Sequence, residues 1–174
     1  MKKTLSILLA VAMLLGCMMA FSSCGKTEAT NMVLNVGSKP DTVDPALNSA
    51  VDGATYIVHA FAGLIGWEKD ASGKLNLVPQ CAAALPTKSE ADGKVVDTFT
   101  LRDGLKWSDG TALTAADFVY SWNRAASPVT AADYGYMFDC IDGYAAMTEM
   151  NDKDELVNPD AKLNVTAVDD KTLK

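Results

Sequence analysis

TFTLRDGLKWSDGTALTAADFVYSWNRAASP, residues 98–128, carries the local signals that decide the fold. Val95, Asp97, Phe99 and Leu101 alternate with Val96, Thr98, Thr100 and Arg102. One set is mostly apolar and the other mostly polar, which predicts a half-buried strand running into this stretch. Asp103-Gly104 and Asp109-Gly110 predict tight turns, since glycine takes positive φ at little steric cost. Trp107, between them, is expected as a core plug. Thr114-Ala115-Ala116-Asp117 predicts a helix start, with threonine as cap and the aspartate reaching back to the Thr114 N–H. Ala115, Phe118, Val119, Trp122 and Ala126 trace one face of that helix. Tyr120, Asn123 and Arg124 fall off the stripe and are expected in solvent, and Pro128 ends the helix.

Towards the N-terminus, Leu64–Glu68 and Lys74–Val78 flank Asp70-Ala71-Ser72-Gly73, which predicts a hairpin that Pro79 stops. Ala82–Leu85 reads as one apolar turn, and Ser89–Lys94 as a polar loop. Tyr56, Ile57, His59, Ala60, Phe61 and Leu64 fall at helical spacing, so a short helix closed by Gly63 and Gly66 is expected. His59 is the sole histidine, and on such a helix it reads as a packed or surface residue. Val33, Leu34 and Val36 predict a brief strand from Met32, ended by Gly37-Ser38-Lys39-Pro40. Thr42-Val43-Asp44-Pro45 predicts a turn.

Towards the C-terminus, the aromatic and methionine spacing of Ala131–Met150 predicts one or two short helices, broken near Asp142-Gly143. Residues 151–160 read as an acidic loop. Leu163, Val165 and Ala167 alternate as a strand, Asp169-Asp170-Lys171 as a turn, and Thr172-Leu173-Lys174 as a return strand. Because the chain closes inside that hairpin, the expectation is a fragment of a longer protein.

The ends and the charge bound the function. Lys2 and Lys3 precede Leu5–Phe21, which carries no charge, and Ser22-Ser23-Cys24-Gly25 follows. That predicts a lipoprotein signal peptide over residues 1–23, cleaved before a lipidated Cys24. Leu14-Leu15-Gly16-Cys17 is a competing site, though it would leave Met18–Phe21 on the mature protein. Residues 24–31 read as a polar tether, so the domain is expected outside the cytoplasm, lipid-anchored to the cell membrane or in the periplasmic space. The formal charge of −7 argues against nucleic acid, which needs clustered lysine and arginine. Cys81 and Cys140 are the remaining cysteines, and either a bridge or free thiols fits an exported chain. No Cys-x-x-Cys pair, Gly-x-Ser-x-Gly elbow or Gly-rich phosphate loop occurs, and no histidine stands near a nucleophile. No catalytic residue, metal site or cofactor is expected. Pattern alone supports an exported, acidic α/β domain.

TFTLRDGLKWSDGTALTAADFVYSW resembles the signature of the family 5 extracytoplasmic solute-binding proteins, the oligopeptide- and dipeptide-binding receptors of ABC importers. VGSKPDTVDPALNSA is similar to the opening strand and turn of that family, with Val43 where leucine is usual. FAGLIGWEKDASGKLNLVPQCAAALP, NRAASPVTAADYGYMF and NVTAVDDKTLK resemble later segments in the same order. The resemblance spans residues 32–174 and implies a type II periplasmic-binding-protein fold, of which this chain holds the first part of lobe one. It implies a receptor that holds an extended oligopeptide between two lobes and delivers it to an ABC permease. It places Ser49, Val51 and Tyr134 at ligand-contact positions. Two alternatives stay open: another solute within the family (a nickel chelate, a sugar or haem), or an exported hydrolase. A surface module that binds no ligand is a third.

Overall fold

In a computed structural model of the chain, residues 33–174 are described. The signal segment 1–23, Cys24, the tether 24–31 and Met32 lie outside the described residues. The elements below all belong to one unit, Val36–Lys174. They run α1 (Val51–Ala60), β1 (Ile65–Lys69), β2 (Leu75–Pro79), β3 (Thr87–Ala91), β4 (Lys94–Thr100), α2 (Ala115–Ala126), two 3-10 turns (Pro128–Thr130 and Gly135–Phe138), α3 (Tyr144–Thr148) and β5 (Thr172–Leu173). Among the described residues no helix is long and apolar enough to cross a membrane.

The strands form two antiparallel groups. β1 and β2 pair as the expected hairpin, with Trp67 opposite Leu77. Its turn is held by Asp70, whose carboxylate accepts the Ser72 hydroxyl at 2.5 Å, the Ser72 N–H at 2.9 Å, the Lys74 N–H at 3.0 Å and Asn76 Nδ2 at 2.9 Å. The Ser72 hydroxyl leads these donors in pulling the Asp70 pKa down to about 2. The second sheet has the order β3-β4-β5.

β3 corrects the polar loop expected over Ser89–Lys94. It is exposed along its whole length, so no apolar alternation announces it. Its determinant is the two-residue turn Asp92-Gly93, at φ 52° and 74°, joining paired Ala91 and Lys94. Positive φ at both positions matches the twist of antiparallel strands.

The predicted capping box forms. Asp117 Oδ2 accepts the Thr114 N–H at 2.7 Å and the Thr114 hydroxyl at 3.0 Å. The predicted stripe is also the packed one: Ala115 and Ala126 are buried, and Phe118, Val119 and Trp122 lie against the core. That core joins Leu64, Ala82, Leu101, Met147, Leu163, Val165 and Leu173. Leu173, 1% exposed, sits in the return strand and pairs with Phe99 of β4. The hairpin turn reaches the helix start directly, through the Ala115 N–H on the Asp170 carbonyl at 2.8 Å. Burial of this stripe, at about 25 cal/mol per Å² of apolar surface, holds helix and sheet together.

Five further expectations are overturned, the first being the strand over Leu163–Ala167, where only Ala167 bridges to Leu173. Residues 33–36 form no strand; Val33 and Leu34 are 95% and 66% exposed, so the run lacks a buried face to hold it. α1 starts at Val51 and ends at Ala60, where Phe61 turns to extended backbone before either glycine is reached. Trp107 is half-exposed, because the bridge between Lys106 and Ala112 closes its loop on itself, outside the core. Asn123 and Arg124 are not solvated spectators; both bind distant segments, as described below. Cys81 is buried, Cys140 is exposed, and both are free thiols.

Candidate functional site

The segment carrying Ser49 and Val51 begins as a self-bonded turn. The Asp44 N–H donates to Thr42 Oγ1 at 3.1 Å, and Asp44 Oδ1 accepts the Ala46 N–H at 2.9 Å. The Asp44 carbonyl accepts the N–H groups of Leu47 and Asn48 at 3.2 and 3.0 Å. Asn48 Nδ2 then donates to the Ala50 carbonyl at 2.9 Å, one residue before α1. Aspartate before proline suits this turn, since its side chain supplies a local acceptor and Pro45 has no N–H to satisfy.

Two contacts from outside hold the turn. Gly53 of α1 is buried, and a Cβ there would overlap Asn48 Oδ1 and stand 2.5 Å from the Thr42 carbonyl oxygen. Only glycine lets the helix approach so closely. The second contact is Arg124, near the end of α2. Its Nη1 donates to Asp44 Oδ1 at 2.9 Å and its Nη2 to Asp44 Oδ2 at 2.5 Å. The two side chains are 35% and 29% exposed, so this is a half-buried, two-pronged pair. The guanidinium holds the Asp44 carboxyl below its ordinary range, and the carboxylate in turn raises Arg124.

The same helix turn receives the Tyr134 segment. A Cβ on Gly135 would lie 3.1 Å from the Ala125 carbonyl oxygen, so the 3-10 turn seats closely on the helix end. Tyr134 caps that turn, its carbonyl accepting the Met137 N–H at 3.1 Å. Tyr134 is 49% exposed, and its ring centroid stands 6.3 Å from that of Tyr136. Asn123 completes the junction: Oδ1 accepts the Leu163 N–H at 2.9 Å, and Nδ2 donates to the Val119 carbonyl at 2.8 Å. Three consecutive residues, Asn123, Arg124 and Ala125, therefore hold three separate segments.

Of the predicted contact positions, Ser49 and Val51 are exposed, Val51 at 84%, and Tyr134 is half-exposed. The structure links their segments through Arg124 and Ala125. None of the three lines the groove bounded by Phe99, Trp122, Ile141, Val165 and Leu173. His59 lies on the surface, its Nδ1 donating to the Thr55 carbonyl at 2.7 Å. Among the described residues no cluster of three or more His, Cys, Asp or Glu could hold a metal ion. Arg124 and Asn123 are the residues that sequence reasoning missed. Their partners lie 80 and 40 positions away, beyond any local pattern.

Comparisons with known proteins identify the family of the chain. The model for the bacterial extracellular solute-binding proteins, family 5 Middle, matches residues 76–174. The periplasmic murein peptide-binding protein MppA of Escherichia coli is 33% identical over 150 residues, covering 84% of this chain and 25% of that protein. From the same organism, the "Probable deoxycholate-binding periplasmic protein YgiS" is 35% identical over 147 residues, covering 80% of this chain and 24% of that protein. The structure of Listeria monocytogenes OppA bound to peptide superposes with a TM-score of 0.60 at 33% identity, covering 78% of this chain and 24% of that one. The chain thus spans about a quarter of the length of the relatives it matches. The fold is part of the type II periplasmic-binding-protein architecture, and the chain belongs to the family 5 bacterial extracellular solute-binding proteins.

Proposed function

We propose that this chain forms part of the first lobe of an extracytoplasmic receptor that binds oligopeptides and delivers them to an ABC permease. Residues 1–23 act as the signal, Cys24 carries the lipid, residues 24–31 are the tether, and 32–174 contribute to the binding lobe. Ser49, Val51 and Tyr134 line the ligand. The observation that carries the reading is the likeness to two proteins named for peptides, one of them solved with peptide bound. The geometry is consistent with it: an exposed aromatic and an exposed turn, both seated on one rigid helix end, suit a wall that meets an extended chain.

A second reading is a non-peptide solute, favoured by the likeness to the protein named for deoxycholate. A thermal-shift series on the full-length protein separates them. A peptide at a hundred times its Kd adds about 2.7 kcal/mol of stability, so a tetrapeptide pool is expected to raise the melting temperature by several degrees. A shift with deoxycholate, a nickel chelate, a sugar or haem, and none with peptides, overturns the peptide reading. Turnover of the pool, lost on replacing one serine or aspartate, would instead indicate a hydrolase. For the anchor, Cys24→Ala is expected to abolish metabolic lipid labelling; persistent labelling reassigns it to Cys17.

A further inference from the structure

The Arg124–Asp44 pair joins two elements that each hold together without it. The Thr42–Asn48 turn has its own hydrogen bonds and packs on Gly53. The end of α2 has its own closure, the Ser127 N–H reaching the carbonyls of Asn123 and Arg124 at 3.1 and 3.3 Å. What the pair adds is a fixed relation between them, across 80 positions of sequence. Two N–H groups on two carboxylate oxygens set an orientation as well as a distance, which a single ammonium cannot do.

From Asp44 the constraint passes along a short bonded path. The Asp44 carbonyl holds the Leu47 and Asn48 amides, Asn48 Nδ2 holds the Ala50 carbonyl, and Ser49 lies between. From Arg124 it passes to the adjacent Ala125, whose carbonyl is the seat of Gly135 beside Tyr134. We infer that Arg124 is a positioning residue: acting through Asp44, it sets where Ser49 and Val51 stand relative to Tyr134. This rests on the reading that those three residues line the ligand. Arg124 itself touches no ligand in this scheme, and its effect on binding is carried by the turn.

The test uses the full-length protein and a synthetic tetrapeptide pool, with binding read by native mass spectrometry and folding by thermal melting. Arg124→Ala is expected to weaken binding on the order of tenfold, and Val51→Ala severalfold. In the double variant Val51→Ala adds little, because the residue is already misplaced. Arg124→Lys restores little, and the exchanged pair Asp44→Arg with Arg124→Asp restores binding in part. A purely structural role would lower the melting temperature and leave the two substitutions additive. If Arg124→Ala does not fold, Asp44→Asn makes the same break with less change of shape. Parental affinity in Arg124→Ala or Asp44→Asn, or full additivity with Val51→Ala, overturns the inference while the peptide reading stands. A parent protein that binds no tetrapeptide overturns both.

Discussion

The side-chain bonds at the two ends of α2 are of different kinds. At the start, Thr114 and Asp117 close on each other within one turn of chain. At the end, Arg124 reaches Asp44, 80 residues away. The first kind forms as the helix forms and needs nothing else. The second exists only once the chain has folded, and it reports on two elements at once. A cap specifies where a helix begins; a long-range pair specifies which distant segment the helix holds.

Substitutions on each side of that contrast should separate them, and the largest effect belongs to the distant side. Gly53→Ala drives a Cβ into Asn48 and the Thr42 carbonyl, so the turn must leave the helix. A loss of about 3 kcal/mol is expected from urea unfolding, with faster hydrogen exchange at Leu47 and Asn48. Asp44→Ala removes the acceptor of both the Ala46 N–H and the Arg124 guanidinium, and about 1–2 kcal/mol is expected. Its exchange signature should fall on residues 44–48 and spare the first turn of α2. Thr114→Ala should cost about 1 kcal/mol and show the reverse, faster exchange at the start of α2 with the Asp44 turn unchanged. If either substitution speeds exchange at both ends equally, the two ends are one cooperative unit and the contrast fails.

The smallest effect is one of pH. Asp70 is a purely local acceptor, and the Ser72 hydroxyl and its other donors lower its pKa from 3.8 to about 2. A depressed carboxylate stabilises the fold above its ordinary pKa and loses that contribution as pH falls through the folded value. Asp70→Asn should therefore unfold more readily than the parent above about pH 4. The difference should close between pH 4 and about 2. Asp44→Asn should follow the same sign, since Arg124 also holds that carboxyl low. A gap that stays constant down to pH 2 would remove Asp70 as the holder of its turn.

The same division explains what was legible in the sequence. The β1–β2 hairpin, the glycine turns at 104 and 110, the cap and the apolar stripe of α2 each rest on residues within a few positions of one another, and each was read. β3 was missed because Thr87–Ala91 has no buried face; Asp92-Gly93 alone announced it. Trp107 was misplaced because an aromatic between two turns says nothing about which side of its loop faces the core. The strand expected from Val33 failed because an apolar run is a strand only where something covers it. At the candidate site, the Asp44 turn was legible and its partner was not. An arginine in the last turn of a helix looks the same whether it faces water or a carboxylate from another part of the chain.

The two free cysteines give the described residues a chemical asymmetry that an experimenter can use. Cys81 is buried, and burial raises its thiol pKa, so at neutral pH it is shielded and protonated. Cys140 is exposed, two residues beyond Phe138, whose ring lies 6.3 Å from Trp122 on the same helix as Arg124. An alkylating dye should therefore enter at one position of this region without any engineered mutation. A fluorophore placed there would sit near Trp122 of α2, and a change in its colour on adding a tetrapeptide pool would test whether the surroundings of that helix respond to a ligand.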